Sequence, residues 1–202
     1  MRKIGLAAAA LTFLVTLLVM LLSAAAAQAA NLPRPAPDFA INLAPNKQLK
    51  LGQYKGHPVV LAFILTYCSH CQKSIGFLIK DQQEFGPRGL QVLATAIDLP
   101  TAVPGFVKQF NPPFPVGFNT NDEAVGYLQH VPMMILHMPA IVLIDKDGVI
   151  RAQYEGDDPF MSEGVQEKNL HDKIEELMKT GAPAGKKPIT RKGVSSAKKQ
   201  SN

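Results

Sequence analysis

The chain has 202 residues, 47% of them hydrophobic and 18% charged, with two cysteines and no tryptophan. This excludes a collagen-like or fully disordered chain, a disulfide-dense scaffold and a four-cysteine metal site. The net charge of +5 belongs to the ends: residues 31–180 hold 13 basic and 16 acidic residues, so the folded part does not read as a nucleic-acid binder.

Arg2 and Lys3 precede an uncharged run from Ile4 to Pro33. Ala27-Gln28-Ala29 fits the small-x-small cleavage pattern. Residues 1–29 are expected to be a signal peptide or an N-terminal membrane anchor, since the apolar stretch is long enough to sit in a bilayer. Either form exports the remainder, where disulfides persist. Residues 30–37 are Pro-rich and read as a linker. Residues 38–180 carry the patterning of one folded domain, and 181–202 read as a basic disordered tail.

Within the domain, Asp38–Leu43 and Leu49–Leu51 are short candidate strands. Val59–Thr66 is a continuous apolar, β-branched run, as in a strand buried on both faces. Cys68 to about Phe85 has helical spacing, with Ile75, Leu78, Ile79 and Phe85 as its inner stripe; Gly86-Pro87-Arg88-Gly89 ends it. Leu90–Ile97 is a second buried strand. Val103–Phe110 and Asp122–Leu128 are short helices, the latter capped by Asn121 or Asp122. Ala140–Ile144 and Val149–Tyr154 form a hairpin around Asp147-Gly148. Glu163–Thr180 is amphipathic, with Leu170, Ile174, Leu177 and Met178 on one face. The order implies an α/β fold: a central mixed sheet, parallel in part, with helices on both faces.

Cys68-Ser69-His70-Cys71 lies where the first buried strand meets its helix. Residues i and i+3 of a first turn share one side, close enough for a small disulfide ring. Cys68 is expected to cap the helix, where free N–H groups and the dipole favour a thiolate. Cys71 is expected deeper, held back to resolve a mixed disulfide. His70, if protonated or polarised, would further stabilise the Cys68 thiolate. A stabilised thiolate makes a more oxidising couple. A haem attachment site would need His where Gln72 stands.

Gly56-His57-Pro58-Val59-Val60-Leu61-Ala62-Phe63 leading into the two cysteines, then Met138-Pro139 opening Ala140–Gly148, resembles the thioredoxin superfamily. More narrowly it is similar to exported TlpA-like thiol–disulfide oxidoreductases, within the redoxin group that includes peroxiredoxins. The match runs from about Pro37 to Met178. It implies a thioredoxin-like fold in a single domain, and a cis peptide bond before Pro139 beside the cysteines. It also implies that Pro139 keeps metal from the sulfurs and that the Met138 backbone pairs with a client strand. Tyr67 stands where the family often has Trp, as a flat shield that would contact substrate. Ala62 stands where many members have a buried carboxylate that deprotonates the second cysteine. The Ser-His dipeptide is similar to that of oxidising and isomerising relatives.

The expected activity is disulfide exchange with client proteins, with Cys68 attacking and Cys71 resolving. Cys68, Cys71, His70 and Pro139 are the expected catalytic set, and Tyr67, Met138 and Pro139 the substrate-binding set. No cofactor and no metal site are expected, because the cysteine pair carries the electrons. The expected partners are thiol or disulfide client proteins and a membrane or periplasmic redox partner, with no nucleic acid. Two alternatives are a peroxidase and a copper(I) module. Peroxiredoxins place Thr or Ser three residues before their reactive cysteine, where this chain has Leu65, with Thr66 one residue too close and Arg151 as the stand-in arginine. Copper(I) binding would draw on the soft ligands of His130, Met133, Met134, His137 and Met138; gap-filling methionines or an adaptable substrate surface is the favoured explanation.

Overall fold

The computed structural model describes residues 31–180, apart from Pro45 and Pro132. The expected signal or anchor (1–29) and the basic tail (181–202) lie outside the described residues. Among the described residues, no helix is long and apolar enough to cross a membrane.

Eight strands form one mixed sheet: β1 (Arg34–Pro35), β2 (Ala40–Ala44), β3 (Lys47–Lys50), β4 (Val59–Ile64), β5 (Gln91–Ala96), β6 (Val116–Phe118), β7 (Ala140–Ile144) and β8 (Val149–Tyr154), in the order β1-β8-β7-β4-β5-β6-β2-β3. The β4–β5 and β5–β6 pairs are parallel and the others antiparallel. Among the described residues, four α-helices accompany them: α1 (Ser69–Phe85), α2 (Val103–Phe110), α3 (Asn121–Leu128) and α4 (Gln166–Lys179).

The central strand β4 is buried at every position, as its unbroken apolar run requires. Successive side chains point to opposite faces. Val60, Ala62 and Ile64 therefore join Ile75, Leu78 and Phe85 of α1 and Leu170, Ile174 and Leu177 of α4 in one core. Val59, Leu61 and Phe63 join Phe39, Tyr127 and Leu128 in the other. Ile79 and Met178, expected on the inner stripes, are only partly buried.

Several boundaries differ from expectation: β2 begins at Ala40 rather than Asp38, β3 spans Lys47–Lys50 rather than Leu49–Leu51, and β4 and β5 are shorter at their ends. Within the stretch expected as a linker, Arg34–Pro35 pairs with β8. Arg34 is 7% exposed and donates to the Tyr127 carbonyl at 2.9 Å, so this stretch is tied into the sheet edge rather than acting only as a linker. The cap of α3 is Thr120, in a reciprocal capping box with Glu123, rather than Asn121 or Asp122. Helix α4 begins at Gln166 instead of Glu163, after Gly164 at φ 87°.

Candidate functional site

The site lies at the C-terminal end of parallel strands β4 and β5, the end at which open α/β sheets bind ligands. The chain leaves β4 at Ile64 and enters α1 four residues later. Cys68 is the cap of that helix, with extended backbone at φ −78° and ψ 118°. Its Sγ accepts the backbone N–H of Cys71 at 3.3 Å. This satisfies one of the free donors of a helix start, a position that favours negative charge.

The two sulfurs differ sharply. Cys68 is half-buried, whereas Cys71 is fully buried in the core beneath α1. Cys71 Sγ accepts the Leu65 N–H at 3.5 Å. Burial pushes the Cys71 thiol far above the usual cysteine range, only partly offset by that amide. Neutral Cys71 is therefore a proton-bearing thiol. Ala62 is fully buried on the same face of β4, so no carboxylate occupies the position where many relatives have one.

The approach to the cysteines is fixed by polar bonds. The Thr66 amide donates to Asp98 Oδ2 at 3.0 Å, and its hydroxyl donates to the same oxygen. Gln72 Nε2 returns from α1 to the Thr66 carbonyl at 2.8 Å. Asp98, just past β5, was not singled out from the sequence. Its nearest sequence signal is its place after a buried strand. The Thr66 hydroxyl is thus occupied, and Arg151 Nε donates to Asp145 Oδ2 at 2.6 Å.

His70 does not turn back on Cys68 through a hydrogen bond. Its Nε2 lies 2.9 Å from the Met161 carbonyl and 3.1 Å from Gln166 Oε1. Lys73, one turn on, pairs with Glu163. A cavity of about 680 Å³ lies beside Ser69, His70, Lys73 and Phe77 on one side and Met161 and Gly164 on the other.

The Met138–Pro139 bond is cis, as expected. Phe63 pairs with Ala140 across the antiparallel β4–β7 ladder, which brings Pro139 alongside Ile64 at the cysteine end. Gly156 backs this bend. Its N–H donates to the His137 carbonyl at 2.9 Å, and a Cβ there would lie 2.4 Å from the Met138 carbonyl oxygen. No sequence pattern flagged Gly156, because the close approach exists only after β8 folds back. Tyr67 is 74% exposed beside Cys68.

His130 Nδ1 is 2.9 Å from Glu155 and its Nε2 is 3.2 Å from the Met134 carbonyl. Both ring nitrogens are engaged within the protein. Among the described residues, no cluster of three or more His, Cys, Asp or Glu has metal-holding geometry.

The AhpC/TSA family model matches residues 32–153. A curated relative is the thiol–disulfide oxidoreductase ResA of Bacillus thuringiensis, 29% identical over 125 residues, covering 61% of this chain and 69% of that protein. A solved chain from Chlorobium tepidum, assigned as thiol:disulfide interchange protein DsbE, superimposes with a TM-score of 0.62 at 23% identity, covering 72% of this chain and 96% of that one; it shows the fold. A solved chain assigned as a thioredoxin from Neisseria meningitidis is 27% identical with a TM-score of 0.57, covering 72% of this chain and 91% of that one. The match over more than half its length places this chain in the AhpC/TSA family, and the sheet order, the cysteine turn and the solved neighbours give it a thioredoxin-like fold.

Proposed function

We propose that this protein exchanges disulfides with client proteins on the outer side of the membrane, through Cys68 and Cys71. The observation that carries the reading is the inequality of the sulfurs: one accessible at a helix cap, one buried and protonated three residues on. In the reducing direction, the Cys68 thiolate attacks one sulfur of a client disulfide. The client's other sulfur leaves as a thiolate and takes up a proton. Cys71 then gives up its proton and attacks Cys68 Sγ. The Cys68–Cys71 disulfide forms, the second client thiol is released, and two electrons have passed to the client. Oxidation of a client dithiol is the same sequence reversed. A membrane or periplasmic redox partner resets the pair.

Pro139 and the Met138 backbone form the docking edge, Tyr67 flanks the sulfur, and His70 tunes it. The uncharged N-terminal run supports export, either as a cleaved signal or as an anchor. The Ser-His dipeptide supports a potential above that of thioredoxin, about −270 mV, and below that of the strongest dithiol oxidants, about −120 mV. Cys71→Ser tests the reading, because a mixed disulfide on Cys68 then has no resolving thiol. The variant should accumulate covalent, reductant-sensitive adducts with exported proteins. Continued peroxide consumption by this variant, without such adducts, would contradict the proposal.

A further inference from the structure

His70 is held from a distant part of the chain, and the direction of every hydrogen bond in that hold can be assigned. The Met161 carbonyl can only accept, so His70 Nε2, 2.9 Å away, carries the hydrogen. Gln166 Oε1 is a second acceptor for the same N–H at 3.1 Å. The Gln166 amide cannot turn over freely, because its Nε2 donates to Ser74 Oγ. Ser74 in turn donates to the His70 carbonyl at 2.9 Å. That carbonyl is an obligate acceptor, so the Ser74 hydrogen is committed to it and only its lone pairs face Gln166. Ser74 and Met161 are fully buried, and Gln166 is 2% exposed. A closed polar chain of this kind in low dielectric is both strong and directional.

We infer that Gln166 and Ser74 are positioning residues that set the redox potential of the cysteine pair by locking the His70 ring. This rests on the disulfide-exchange reading above. The lock leaves Nδ1 as the nitrogen that binds a proton. In the exchange reading His70 tunes Cys68 toward the reduced pair, and the lock fixes the tautomer and direction of the ring that does so. The other charged or titratable groups around the ring are Lys73 and Glu163, which pair with each other, and the two cysteines. The start of α4, nearly one hundred residues along the chain, is thereby part of the redox site.

The test uses the full chain with 15N-labelled histidine. In the reduced parent, ring NMR should show Nε2–H as the main neutral tautomer of His70. Gln166→Leu and Ser74→Ala should each raise the Nδ1–H share. Each should also raise, by about threefold to tenfold, the constant for oxidation of the two thiols by glutathione disulfide to give the protein disulfide and two glutathione thiols; tenfold corresponds to about 30 mV. Ser74→Thr keeps the hydroxyl and should restore both readouts. Gln166→Glu keeps the acceptor and adds charge, so it should lower the constant, and it serves if the leucine variant does not fold. A parent-like constant in a folded Gln166→Leu protein, an unmoved tautomer ratio, or a rise with Gln166→Glu would overturn the inference. Loss of client trapping with these shifts intact would remove the exchange reading and leave the lock standing.

Discussion

The turn from Leu65 to Ser74 and the segment from His130 to Pro139 reach the same end of the sheet, but they are built differently. In the first, Thr66, Cys71 and Ser74 are buried, and each of the three makes hydrogen bonds within the turn or across to Asp98 or Gln166. In the second, Met133 is 95% exposed and Ile135 is 78% exposed, while its last peptide bond is backed by Gly156. The lesson is a division of labour. Under the proposed function, the sulfur chemistry needs the fixed geometry of the helix start, and contact with varied clients suits flexible, polarizable side chains on a loop.

Changes in the two regions should therefore fail in different ways. Cys68→Ser should have the largest effect, lowering disulfide exchange by roughly 10⁴-fold or more with all substrates, as loss of a nucleophile does. An insulin-reduction assay and a glutathione assay would both report it. Gly156→Ala should come next and should separate the regions. Its methyl group would push on the Met138 carbonyl, and a displacement near 1 Å can cost about 10²-fold. Exchange with protein clients should fall about tenfold to a hundredfold, while oxidation by glutathione, which needs no docking edge, should stay within about twofold. Equal losses with both substrates would erase the proposed division. Met133→Ala and Ile135→Ala should be mildest. Each should leave stability within about 0.5 kcal/mol, as exposed positions do, and raise the client KM a few-fold without changing kcat. Thermal melts and steady-state kinetics on a model client would check both.

The sequence revealed the chemistry more readily than its support. Continuous apolar runs marked β4, β5 and β7, and α2, β7 and β8 have the expected boundaries. The cysteine spacing and Pro139 are local signals and needed no tertiary information. Strand β6 was missed because Val116–Phe118 is only three residues long and includes Gly117. It becomes a strand by pairing with β5 and β2, and no short window of sequence contains that. Gln166 carries no signal in the sequence; its burial follows from the way α4 packs on α1. Asp98 and Gly156 matter through what lies opposite them, which is likewise set by the fold. The expectation that His70 acts on Cys68 gains a partner the sequence did not offer: the ring is anchored to α4 by Nε2.

The inequality of the sulfurs is tested most directly by alkylating the reduced chain across a pH series and locating the adducts by mass spectrometry. Burial disfavours the Cys71 thiolate, so Cys71 stays a thiol through neutral and moderately alkaline pH and becomes reactive only as pH rises far above the usual cysteine range. At neutral pH the account predicts a single adduct on Cys68, with Cys71 modified only under strongly alkaline or denaturing conditions. Alkylation of both cysteines at similar rates in the folded protein at pH 7, or of Cys71 first, would contradict it.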